Sequence, residues 1–185
     1  MRSRTAILLI LVAGVLFVVL MPRVEAALIR DAPGCPHSGD VPKREQIGAT
    51  RGQIVCLLNQ ERARHDLPPL RYNPLLELAS QRHSEDMAAR NFFAHNTPDG
   101  VDPQARMAAA GYSLVGRHTG ENLYWGEEMH APPVSAMKSW MNSPGHRTNI
   151  LRPDFAEVGV GVAYEAPVAG GRGRSALYAT DFGGP

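Results

Sequence analysis

Two histidines and a glutamate stand in non-repetitive settings that a packed core does not require. His95 ends the stretch Phe92-Phe93-Ala94-His95, Glu121 lies in Gly120-Glu121-Asn122-Leu123-Tyr124-Trp125, and His146 follows Ser143-Pro144-Gly145. Neutral imidazole nitrogen and carboxylate oxygen are both ligands for zinc and similar cations, and imidazole gains or loses a proton near neutral pH. The set can therefore hold a divalent cation or move a proton. Plainer roles are open as well. His95 falls just past a helical stretch and can interact with its dipole, and Glu121 can accept hydrogen bonds from loop amides. His146 has few apolar neighbours before it, which disfavours a packed core histidine. His83 and Asp86 fall on adjacent turns of one helix. They read either as a pair that orients a cleft group or as a part-buried histidine satisfied by its neighbour. Arg82, Asp86 and Arg90 can equally form surface pairs of little energetic value.

Most other chemistries lack their motif. The chain has no Gly-x-Ser-x-Gly elbow, no His-Glu-x-x-His helix, no phosphate loop and no Cys-x-x-Cys pair. Paired carboxylates of the kind that cleave glycosidic bonds are not visible either. Trp125 and Trp140 read as core or cleft wall.

Several elements must position the three residues. A first helix is expected from about residue 42 to 65, with Ile47, Ile54, Leu57, Leu58 and Ala63 at near-helical spacing. Asn73-Pro74 is a start signal, because asparagine caps free amides and proline suits the first helical position, so a second helix should run to about Asn91. Asp102-Pro103 repeats the signal for a short helix over 104–110, which Gly111 stops. Residues 114–125 read as a loop passing into a short strand. Pro132 and Pro133 open a fourth helix, broken by Ser143-Pro144-Gly145. Two runs, 157–164 and 175–182, alternate in the strand period, and Gly170-Gly171-Arg172-Gly173 reads as the hairpin loop between them. Helices first and a hairpin last predict an α+β domain.

The ends and the charge bound the rest. At 185 residues the chain suits one domain. A net charge of +1 with interspersed signs disfavours capture of nucleic acid or an anionic membrane, and Arg147, Arg152, Arg172 and Arg174 read as solvated charges. Arg2 and Arg4 precede an apolar run over 6–21, followed by Val24-Glu25-Ala26. This reads as a signal peptide over 1–26, cleaved after Ala26 or Ala27, with an uncleaved membrane anchor as the alternative. Two cysteines in an exported chain predict one disulfide, Cys35–Cys56, tying an N-terminal arm over 27–46 to the first helix. The alternative is that Cys56 is simply a buried apolar residue.

The three site motifs resemble the CAP superfamily (cysteine-rich secretory proteins, antigen five, pathogenesis-related proteins), closest to its bacterial SCP-like extracellular branch. Leu58-Asn59-Gln60-Glu61-Arg62-Ala63, Leu67-Pro68-Pro69-Leu70, His83-Ser84-Glu85-Asp86-Met87-Ala88 and Val158-Gly159-Val160-Gly161 extend the resemblance in family order over roughly 47–182. It implies a CAP domain over 47–185, built as an α-β-α sandwich with a small antiparallel sheet between helical layers. It also implies a central cleft lined by His95, Glu121 and His146. Many relatives carry a second glutamate soon after the tryptophan matched by Trp140, where this chain has Met141, Asn142 and Ser143. Asn142, Glu127, Glu128 or His130 are candidates to complete the set. The expected function is an extracellular protein that binds a lipid- or sterol-like ligand or a divalent cation such as zinc, held by His95 and His146, without turnover. The alternative is a zinc-dependent hydrolase, a peptidase, with Glu121 as base.

Overall fold

The computed structural model describes residues 8–12, 15–19, 32–164 and 174–185. The expected cleavage site and the expected 170–173 loop lie outside the described residues. Leu8–Val12 (β1) and Val15–Val19 (β2) pair antiparallel. Among the described residues, no helix is long and apolar enough to cross a membrane.

The start signals act where the sequence puts them. In helix α2, Pro74–Arg90, Asn73 Oδ1 accepts from the amides of Leu75 and Leu76. In helix α3, Pro103–Ala109, Asp102 Oδ1 accepts from Ala105 at 2.7 Å. Each cap is worth about 1 kcal/mol. Helix α1, Ile47–Arg64, is stapled to the arm by the Cys35–Cys56 disulfide, which closes a loop of sequence separation 21. In the chain-entropy picture such a loop contributes about 3 kcal/mol.

Three local expectations change. Residues His118–Glu127 form one ten-residue strand, β3, in place of a loop and short strand. It pairs in unbroken antiparallel register with Ser175–Gly184 (β6), from His118 opposite Gly184 to Glu127 opposite Ser175, so ladder bonds override the glycine signals. Pro144 does not simply end helix α4, Pro133–Asn142. Only Ser143 is extended, and Pro144 becomes the first residue of a further helix, α5, Pro144–Ile150. Finally, the sheet is mixed: the two-residue strand Arg71–Tyr72 (β4) pairs parallel with Glu157–Ala163 (β5), which in turn pairs antiparallel with β6.

The four strands lie in the order β4-β5-β6-β3. Alternation along them sorts the two faces. Val158, Val160, Val162, Tyr178 and Phe182 pack with Ile54, Leu58 and Trp140 of α1 and α4. Leu123, Leu177 and Ala179 pack with Met87 of α2 on the other face. Gly159 and Gly161 let α2 approach, since a Cβ at either would lie 2.0–2.2 Å from α2 backbone atoms. The result is the expected α+β sandwich, with β3 at an edge of the sheet that side chains of α4 and α5 cover.

Candidate functional site

That edge carries the site. Glu121 on β3 points to the α2 side, with only 2 % of its side chain exposed, and both carboxylate oxygens are engaged. His95 Nδ1 donates to Oε1 at 2.7 Å and Arg106 Nη2 donates to Oε2 at 2.6 Å. Arg106 Nη1 also donates to the carbonyls of His95 and Val101. One residue earlier, His83 Nε2 donates to the Ala94 carbonyl at 3.0 Å. The segment bearing His95 is therefore held on both sides, while the imidazole itself stays 52 % exposed. Because Nδ1 gives its proton to Glu121, Nε2 is the edge available to solvent.

Helix α5 brings His146 to the same edge. Asn122, next along β3, donates to the His146 carbonyl, and Asn149 bridges to the Glu121 carbonyl and to Asn122 Oδ1. Gly120 permits this approach, as a Cβ there would already lie 3.0 Å from Asn149 and Phe155. The His146 imidazole is half-buried, its Nδ1 has no partner, and burial, then the proximity of His95, lowers its pKa. His83 is also held neutral, chiefly by burial, with the Arg106 charge acting in the same direction. Asp86 faces Arg90 at 3.6 Å, so its ion pair lies apart from the His83 hydrogen bond. Glu128 pairs with Arg174 at the far end of β3. Glu127 is six residues from Glu121, about 20 Å along the strand.

Sequence reading missed two residues. Arg106 belongs to none of the site motifs; its only signal is a position one turn into the helix that follows the His95 motif. Asp181 lay in the strand run, yet it is directly opposite Glu121 in the β3–β6 ladder, on the same face, and almost wholly buried. No N–H or O–H donor meets either of its oxygens. Burial and then the Glu121 charge raise its pKa well above the ordinary carboxylate value. Asp181 thus keeps its proton and can share it with Glu121, as two adjacent carboxylates do when only one can ionise. A carboxylate pair is present after all, but it is buried and adjacent instead of flanking an open cleft, which is not the spacing of glycoside hydrolysis.

This protonation has a measurable consequence. A carboxyl whose folded pKa is raised stabilises the fold fully below its unfolded pKa, near 3.8, and loses that contribution as pH rises towards the folded value. Asp181→Asn retains a donor for Glu121 and removes the titration. Its stability relative to wild type should therefore rise, by up to about 1.4 kcal/mol per pH unit, as pH increases from about 4 through the acid range. Urea unfolding of both proteins across that range provides the measurement, and parallel stability curves would show that Asp181 ionises in the fold.

A zinc site does not fit these donors. Catalytic zinc takes three protein ligands plus an open position, and Glu121 already carries a guanidinium and an imidazole proton. Among the described residues, no group of three His, Cys, Asp or Glu side chains is placed to hold a metal ion. The expected holding of a cation by His95 and His146 would thus rest on two imidazoles alone, one of them bearing its Nδ1 proton towards Glu121.

Fold and site together define a three-layer domain with an imidazole–carboxylate edge site, a class that comparison with known proteins makes specific. A profile of the cysteine-rich secretory protein family (CAP) matches residues 55–170, and the chain belongs to that family. YkwD of Bacillus subtilis is 36 % identical over 115 residues, which cover 62 % of this chain and 43 % of that protein. The crystal structure of an extracellular protein with an SCP domain from Bacillus anthracis is similar, with a TM-score of 0.64 at 28 % identity, over 76 % of this chain and 43 % of that one. A cysteine-rich secretory protein from Staphylococcus aureus shares the fold, with a TM-score of 0.60 at 18 % identity, over 77 % of this chain and 40 % of that one. The chain thus spans less than half the length of these relatives.

Proposed function

We propose that this protein is an extracellular binding domain that takes the polar group of a ligand at the imidazole edges of His95 and His146, without turnover. Export is supported by the basic-then-apolar N-terminus, the disulfide and the similarity to a B. anthracis protein described as extracellular. The observation that carries the binding reading is the double engagement of Glu121. A carboxylate that already accepts from His95 and Arg106, and is almost fully buried, acts as the scaffold that aims His95. It is not a free base.

One observation favours hydrolysis as a second reading. A buried carboxylate on Nδ1 leaves the Nε2 lone pair of His95 facing solvent, as in a general base. The two readings separate in one experiment. Purified protein is incubated with the lipid and small-molecule extract of the spent culture medium, and retained compounds are identified by mass spectrometry. Binding predicts a compound retained unchanged by wild type and lost from His95→Ala. Conversion of a compound by wild type that His95→Ala abolishes would replace the binding reading with the hydrolase.

A further inference from the structure

At the end of α5 and in the turn after it, Arg147, Thr148, Leu151, Arg152, Pro153 and Asp154 line an open pocket of about 400 Å³. Two arginines that the sequence reads as separate solvated charges thus face one space. Arg147 is exposed and, among the described residues, pairs with no carboxylate. Arg152 is more fixed, with its guanidinium 5.2 Å from the centre of the Phe155 ring, yet its side chain is 36 % exposed and meets Asp154 only at 3.6 Å. A third positive charge stands behind the same turn. The fully buried Arg62 guanidinium donates to the carbonyls of Ile150, Arg152 and Phe155 as well as Pro68, so its hydrogen-bond partners are neutral and no carboxylate balances it. Its bond to Ile150 also occupies the carbonyl end of α5, whose dipole would otherwise oppose an anion there. A charge in the interior is screened less than one in water, so Arg62 acts on the pocket without lining it.

Three guanidinium groups against the Asp154 carboxylate leave an excess of two positive charges around an accessible space. That excess selects among ligand groups. An ammonium has the wrong sign, and a carboxylate brings a single charge on two oxygens. A phosphate monoester carries about −1.5 to −2 at pH 7, and its oxygens can accept from two guanidinium forks at once. The Thr148 hydroxyl gives its proton to the Pro144 carbonyl, which leaves recognition to the arginines. Leu151 and Pro153 supply apolar wall for the carbon side of an ester. We propose that this pocket binds a phosphate monoester group between Arg147 and Arg152. The site shares no residue with the His95–His146 edge.

The probe is glycerol 3-phosphate, titrated at constant ionic strength while the amide and side-chain resonances of Arg147 and Arg152 are followed by NMR. Saturable shifts are expected, weakened about tenfold in Arg147→Gln, the effect of one charge-assisted hydrogen bond. Asp154→Asn, which removes the carboxylate of the pocket itself, should bind several-fold more tightly, and acetate should bind wild type about tenfold more weakly than the phosphate ester. Co-sedimentation with phosphatidylcholine vesicles, with and without phosphatidic acid, identifies the source of the group. Retention of wild type but not Arg147→Gln on the phosphatidic acid vesicles supports a lipid headgroup, and saturable binding of the probe without retention supports a soluble phosphate ester. Unsaturable shifts, equal affinity for acetate, undiminished binding by Arg147→Gln, or loss of binding in His95→Ala would each overturn the proposal.

Discussion

Arg62→Met should destabilise the protein by about 3–5 kcal/mol, the cost of leaving several buried carbonyls unpaired, although Arg62 contacts none of the candidate site residues. Arg62 is fully buried at the end of α1, where its guanidinium donates to four backbone carbonyls. Nε bonds Pro68, Nη1 bonds Ile150 and Arg152, and Nη2 bonds Phe155, all at 2.8–2.9 Å. The Ile150 carbonyl is at the C-terminus of α5, where a cation also complements the helix dipole. Burial lowers the arginine pKa, but arginine remains charged in proteins. Methionine replaces the packing volume and leaves four carbonyls without their donor. Arg62→Lys keeps the charge but, as a compact ammonium, cannot span the planar array, so it should recover only part of the loss. Because Arg62 anchors the end of α5, the Arg62→Met protein should also lose the ordered His146 environment in NMR spectra. Urea unfolding of the three proteins checks the energies. An Arg62→Met protein within about 1 kcal/mol of wild type would mean that these carbonyls find other donors.

Glu121→Ala should cost a similar amount, about 3–5 kcal/mol, and should release His95. The substitution strips the Arg106 guanidinium, 10 % exposed, of its counter-charge and leaves the Asp181 carboxyl facing a cavity. The sequence motif alone predicts that altering Glu121 would change binding far more than folding. Its burial makes it a structural group as well. Glu121→Gln keeps the shape and an acceptor for Arg106, so it should be milder. Its amide can donate to His95 Nδ1, which would move the imidazole proton to Nε2. Nitrogen chemical shifts of His95 report that switch directly. Retention of the wild-type tautomer in Glu121→Gln would show that another group aims the ring, and wild-type stability of Glu121→Ala would show that Arg106 needs no buried counter-ion.

Both expectations come from interactions that pair residues distant in the chain, and the same division separates what could be read early from what could not. Asn73-Pro74 and Asp102-Pro103 predicted two helix starts because a cap bonds amides two or three residues away. The alternation of 157–164 and 175–182 predicted two buried strands because side-chain direction follows a period of two. Two cysteines predicted the Cys35–Cys56 bridge by number. The three site motifs, in order, carried the family resemblance and drew attention to His95, Glu121 and His146. Local pattern failed at 118–127, where glycines suggested a loop and the β6 ladder imposed a strand. It failed again at Pro144, which both ends one helix and begins the next.

Only the folded chain decided the roles of Arg62, Arg106 and Asp181. Arg62 reaches carbonyls 88 to 93 residues away, and Asp181 meets Glu121 only through strand register. A charged side chain in a linear sequence looks solvated whichever role it has, since its burial depends on donors and acceptors that converge from other elements. Local hydrogen bonding and side-chain period are written within a few residues of one another and so are legible in the sequence; the environment that makes a carboxylate keep its proton, or makes an arginine indispensable, exists only after those distant segments pack.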